Sequence, residues 1–133
     1  MTFLNEQLEK RITVRAKTRE NLLTNAIKEI IRVIYASHAP DPGKKTTEDE
    51  IEAEAEDFED LAISILQKTI DLSKKKKILD ISIDKLSESR ILAKFTTQAL
   101  DQTEMVKELG IVTYYGFELT QDKGTYEMKF HYD

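Results

Sequence analysis

The chain offers few side chains able to carry covalent chemistry. It has no cysteine and two histidines, so a thiol nucleophile, a thiolate zinc site and a disulfide framework are all absent. Ser37 and His38 are adjacent, but neighbours in sequence do not form a nucleophile–base pair, and no nucleophile-elbow glycines surround them. His38 falls in a proline-rich loop and reads as solvated. His131 reads as lying on the polar face of a terminal strand. No ligand spacing marks a transition-metal site, and the isolated Gly43 makes no phosphate-cradling loop. The expectation is a protein that is not an enzyme, with no catalytic residue, cofactor or metal.

Charge is the chemistry that remains. The net charge of −5 is unevenly spread, and nine of the thirteen residues from Glu48 to Asp60 are acidic. Glu48, Asp49, Glu52, Glu56, Glu59 and Asp60 form a candidate docking surface for a basic partner, or a mimic of nucleic-acid charge. The plainer reading places these acids on a solvated helix face and at the positive end of its dipole. A calcium loop would need a turn glycine, which is missing. Lys10, Arg11, Arg15 and Arg19, with Lys74, Lys75, Lys76 and Lys77, are the candidate polyanion-binding residues. Aromatic residues are not interleaved with them, so base stacking is not supported.

The elements that would position these clusters are read from breakers and periodicity. Prolines and glycines fall at Pro40–Gly43 and from Gly110 onward, with no helix breaker between. Leu4, Leu8, Ile12, Ala16, Leu23, Ile27, Ile30 and Ile34 give helical, coiled-coil-like spacing over 1–36, followed by a loop at 37–46. Thr47 with Glu50 resembles a capping box opening a helix over 47–73, striped by Ile51, Ala55, Phe58, Ala62, Ile65, Thr69 and Leu72. Residues 78–83 fit strand or helix equally. A further helix over 84–109 carries Leu92, Phe95, Ala99, Val106 and Leu109 to a Gly110 cap. Residues 111–132 read as a β-hairpin turning at Gln121–Gly124, with Ile111, Thr113, Tyr115, Phe117 and Leu119 on one side.

The expected fold is therefore mostly α: one domain over 1–133, an antiparallel long-helix pair, a further helix and a C-terminal β-hairpin. Folding the first two helices back on each other gives a rod of about 40 Å with a cationic and an anionic end. A lone hairpin is marginal and needs a third strand, from 78–83 or from another chain. The functional expectation is a non-enzymatic protein–protein interaction or assembly protein, a homo-oligomer joined through helical stripes and the hairpin edge. By analogy, this build suits a phage or mobile-element accessory protein. The alternatives are a nucleic-acid-associated protein using the basic end and an acidic inhibitor using residues 48–60. No apolar run has membrane-spanning length and no signal pattern opens the chain, so a soluble, cytoplasmic protein is expected.

Overall fold

The computed structural model describes residues 11–35, 39–107 and 109–132. Their order is β1 (Arg11–Ala16), α1 (Arg19–Ile34), β2 (Thr47–Glu54), α2 (Phe58–Ser73), β3 (Lys76–Leu86), β4 (Arg90–Ala99), a short 3-10 turn (Gln102–Glu104), β5 (Val112–Asp122) and β6 (Thr125–Tyr132). The strands form two antiparallel three-stranded sheets, ordered β1-β6-β5 and β2-β4-β3. Each helix touches both sheets: α1 packs on β1, β6 and β3, and α2 packs on β2, β3, β4 and β5. The two helices together contribute about half of the buried apolar core, and residues outside them supply the rest.

The topology contains one unit twice. In β2-α2-β3-β4 the first strand pairs with the last, which pairs with the third. In β1-α1-β5-β6 the same pairing recurs, with the whole second unit inserted between α1 and β5. The first halves also match in sequence at a constant offset: Ile12 with Ile51, Val14 with Ala53, the caps Thr18 with Asp57, and Leu22 with Leu61.

This architecture overturns the mostly α expectation. Residues 11–16 and 47–54 are strands because their alternation, not their four-residue step, governs burial. Ile12 and Val14 are buried between exposed Arg11, Thr13 and Arg15, while Glu48, Glu50, Glu52 and Glu54 face outward around buried Ala53. Apolar residues four apart share a face on a strand as they do on a helix, so the stripe could not separate the two. Helix propensity is worth only tenths of a kcal/mol per residue, against about 1.5–3 kcal/mol for each large apolar side chain fully buried. Thr47 is not a cap; its hydroxyl lies 2.9 Å from that of Thr97 across the ladder.

The span read as a third helix holds β4, with Ile91, Ala93, Phe95 and Thr97 buried at every second position. Residues 78–83 are strand. The missing breaker between Gly43 and Gly110 misled because serine makes the β3–β4 turn: Ser87 Oγ accepts from Arg90 N–H at 3.1 Å. The true caps are Thr18, which accepts from Asn21 N–H, and Asp57, which accepts from Asp60 N–H.

The helices lie side by side but parallel. Arg19, first in α1, stacks over Phe58, first in α2, at 4.8 Å, and Tyr35 at the other end of α1 donates to Ser73 O at 3.2 Å. The antiparallel rod with a basic and an acidic end is therefore absent. The hairpin is present, turning at Lys123 and Gly124 with positive φ. Its third strand is β1, which pairs with β6 from Arg11–His131 to Ala16–Tyr126. Neither 78–83 nor another chain supplies it.

Candidate functional site

The structure divides the sequence-predicted clusters. Lys10 and His38 lie outside the described residues. Arg11 and Arg15 face outward on β1, and Arg15 pairs with Glu127 across the ladder. Arg19 sits at the start of α1, its guanidinium over Phe58 and Tyr126. Lys74 and Lys75 are exposed in the turn beyond the opposite, C-terminal end of α2. Lys76 is engaged with Asp49 at 3.0 Å. Lys77 is buried, paired with Glu104 at 2.6 Å and donating to Ala39 O. The seven described positions make no single basic surface.

The acidic positions fall into two groups. Glu48 and Glu52 stand on the outer face of β2, whereas Asp49 points inward to Lys76 and Thr97. Glu52 also binds Arg90. Glu56 precedes the Asp57 cap, and Glu59 and Asp60 occupy the first turn of α2, where they complement the helix dipole. Among the described residues no three His, Cys, Asp or Glu side chains gather so as to hold a metal ion.

A different feature stands out on the surface. Val106, Ile111, Tyr114 and Tyr115 are 63, 59, 66 and 91% exposed. Ile111 and Tyr114 form one wall of a groove of about 540 Å³, and Ile63, Gln67, Lys68 and Asp71 of α2 form the other. Its lining sets apolar Ile63, Ile111, Val112 and Tyr114 beside charged Lys68 and Asp71 of the helix.

Two devices hold this face. Gln67 reaches from α2 to the strand leading into β5: its Nε2 donates to Gly110 O at 3.0 Å, and its Oε1 accepts from Val112 N–H at 2.9 Å. With residues 110 and 112 tied down, Ile111 is turned out. Further along, β5 loses register with β6 between Thr113 and Glu118. Gly116 takes φ +77° there, and a Cβ would meet the His131 ring at 2.6 Å. Only glycine satisfies both conditions. The irregularity breaks the strand's alternation, so Val112 and Phe117 are buried while Tyr114 and Tyr115 are exposed. The upstream segment is fastened separately, with Val106 N–H donating to Ile34 O at 2.7 Å and Lys107 lying over the Tyr132 ring.

The sequence reading missed this site because it continued strict alternation through residues 111–119 and placed Tyr115 with Phe117. A signal was present: adjacent Tyr114 and Tyr115 cannot share a face, and a glycine inside a strand marks a bulge.

Comparison with known proteins places the fold. The archease protein family matches over residues 3–133. A crystal structure of an archease from Thermotoga maritima, described as a possible chaperone, is similar with TM-score 0.62 and 18% identity, covering 92% of this chain and 88% of that one. The solution structure of protein 1598 from Methanobacterium thermoautotrophicum is similar with TM-score 0.59 and 16% identity, covering 92% and 90%. No curated protein gives a significant match. Among the described residues no helix is long and apolar enough to cross a membrane.

Proposed function

The chain belongs to the archease protein family, and on that premise we propose that it acts without catalysis of its own, as a chaperone-like protein that binds another protein at the groove between α2 and β5. The family corrects the expectation of a self-assembling coiled-coil or mobile-element accessory protein. The description of the Thermotoga maritima relative as a possible chaperone supports a partner-binding role.

One observation carries the reading. Four large apolar side chains are left in water although neighbouring positions bury theirs, and Ile111 and Tyr114 share a groove. Scattered exposed apolar residues are ordinary, but apolar side chains gathered beside a groove with a polar rim suit protein contact. Tyrosine is apt there, since it gives large contact area for little lost rotamer freedom. The Gln67 clamp and the Gly116 bulge restrain the face before binding, which lowers the entropy lost on association.

The test is suppression of aggregation of reduced insulin chains by the full-length protein. The wild type should delay aggregation, and the triple variant Ile111→Ser, Tyr114→Ser, Tyr115→Ser should lose most of that effect. Exposed substitutions of this kind shift stability by about 0.5 kcal/mol or less, and circular dichroism of the variant checks that it folds. Equal protection by the triple variant, or none by the wild type, overturns the proposal.

A further inference from the structure

The second sheet ends in a free edge with a groove beside it. β2 pairs with β4 on one side and, among the described residues, with no strand on the other. Its ladder runs from Thr47–Thr97 to Glu54–Arg90 without a register shift, unlike the β3–β4 and β5–β6 ladders. Ala55 N–H donates to Ser89 O at 2.9 Å, continuing that ladder. In an antiparallel pair, hydrogen-bonded and non-bonded positions alternate. Counting back from Ala55, the residues whose N–H and C=O point to the free edge are Glu48, Glu50, Glu52 and Glu54.

A groove of about 410 Å³ opens along this edge, between β2 and α2. It is lined from the strand by inward Ile51 and also by outward Glu50 and Glu52. Side chains from both faces reach it, so it follows the edge itself. Leu72 continues its apolar floor, while Lys68 and Lys75 stand on the helix side with Asp71 between them. On the outer face Glu52 and Glu54 share Arg90. Glu48 and Glu50 make no contact ion pair among the described residues, although Lys94, opposite Glu50 and bound to Asp84, attracts both.

We propose that β2 accepts an extended basic segment of a partner protein as an added strand, with Lys or Arg on the outer face and apolar side chains toward the groove. The unpaired backbone would provide the main-chain bonds of strand addition. The four glutamates select cations on one face, since opposite charges directly across a ladder attract and like charges repel. Lys68 and Lys75 act in the other direction, so the groove side takes apolar residues over Ile51 and Leu72. This groove adjoins the α2–β5 groove at Lys68 and Asp71 but does not include Ile111, Tyr114 or Tyr115, so the proposal is tested apart from the chaperone-like reading.

The probe is an acetylated octapeptide alternating lysine and valine, followed by fluorescence anisotropy with the full-length protein and by amide exchange. Binding should slow exchange at Glu48, Glu50, Glu52 and Glu54. Glu50→Lys with Glu52→Lys should weaken binding about tenfold, by removing attraction and adding repulsion at two cross-strand positions. Glu50→Pro removes an edge donor without taking a bond from the β4 ladder, and should weaken binding about fivefold. The triple variant at Ile111, Tyr114 and Tyr115 should bind the peptide as the wild type does. Equal binding of a block peptide with all lysines before all valines, or unchanged exchange at the four glutamates, overturns the proposal. The acidic face would then serve only to keep free edges from pairing with one another.

Discussion

The two β–α units share a skeleton and differ in their water-facing residues. In β1 and α1 the buried set includes Ile12, Val14, Leu22, Ala26, Ile27, Ile30 and Ile31. In β2 and α2 the corresponding positions hold Ile51, Ala53, Leu61, Ile65, Leu66, Thr69 and Ile70, of which all but half-buried Ile51 are buried. Outward strand positions diverge: Arg11, Thr13 and Arg15 on one strand answer Glu50, Glu52 and Glu54 on the other. Burial holds the inner positions to a narrow chemistry, because an unpaired polar group inside costs kcal/mol. An exposed charge costs little in either sign, so the surfaces were free to acquire opposite character.

The comparison is broken most severely from inside. Leu22 and Leu61 occupy equivalent positions and are both fully buried. Leu22→Ala and Leu61→Ala should each cost about 2–5 kcal/mol in denaturant unfolding, through lost transfer energy and the cavity left behind. If the units are equivalent in the core, the two costs should agree within about 1.5 kcal/mol, since the spread reflects how far each site collapses. A near-neutral result at one site would show that the repeat in sequence is not a repeat in packing.

The helix C-termini differ in a way that fastens one unit to the other. Tyr35 follows α1, and its hydroxyl lies 3.2 Å from Ser73 O, 2.9 Å from Lys76 O and 3.4 Å from Ile78 N. The equivalent position after α2 is exposed Lys74, which makes no such bridge. Tyr35→Phe should cost about 1–3 kcal/mol by leaving buried backbone groups unsatisfied. Burial pushes the Tyr35 phenol up to about 12, partly opposed by its hydrogen bond with the Ile78 backbone. The folded pKa lies above the ordinary value of 10.0, so this stabilisation is complete below pH 10. It declines as pH rises from 10 to about 12, where the unfolded chain releases the proton first. Stability of the wild type should fall over that range more steeply than that of Tyr35→Phe. Parallel pH profiles would count against the bridge.

These differences explain what could be read from the chain alone. The α2 stripe from Phe58 to Leu72 and the C-terminal hairpin turn were legible, because helical period and a turn glycine act locally. The strands β1 and β2 were not, since Ile12 with Ala16, and Ile51 with Ala55, satisfy strand and helix alike. What decides between them is pairing with β6 and β4, at sequence separations no periodicity reports. The β3–β4 hairpin was hidden because serine does the work expected of glycine. In the α2–β5 site, Gly116 and the doublet Tyr114–Tyr115 were visible as a signal. The Gln67 clamp was not, because nothing in a glutamine's neighbours reveals a contact made forty-five positions away.

The smallest effect tests the outer faces, where the units differ most. Arg15 on β1 binds Glu127 on β6, and both side chains are in contact with water. The Arg15 hydrogen bond, reinforced by the charges of Arg15 and Lys129, holds the Glu127 carboxyl below its ordinary range. A depressed carboxylate pKa contributes stability above the unfolded value and loses it as pH falls through the folded one. For so exposed a pair, salt and solvent screening reduce that contribution. Arg15→Ala should therefore leave the unfolding midpoint unchanged within error at neutral pH. The Glu127 carboxyl, followed by carbon NMR through an acid titration, should move up toward the usual glutamate value. Lys129 remains 3.5 Å away, so the return should be incomplete. A full return would assign the depression to Arg15 alone. No movement would mean that the pair is not populated in solution.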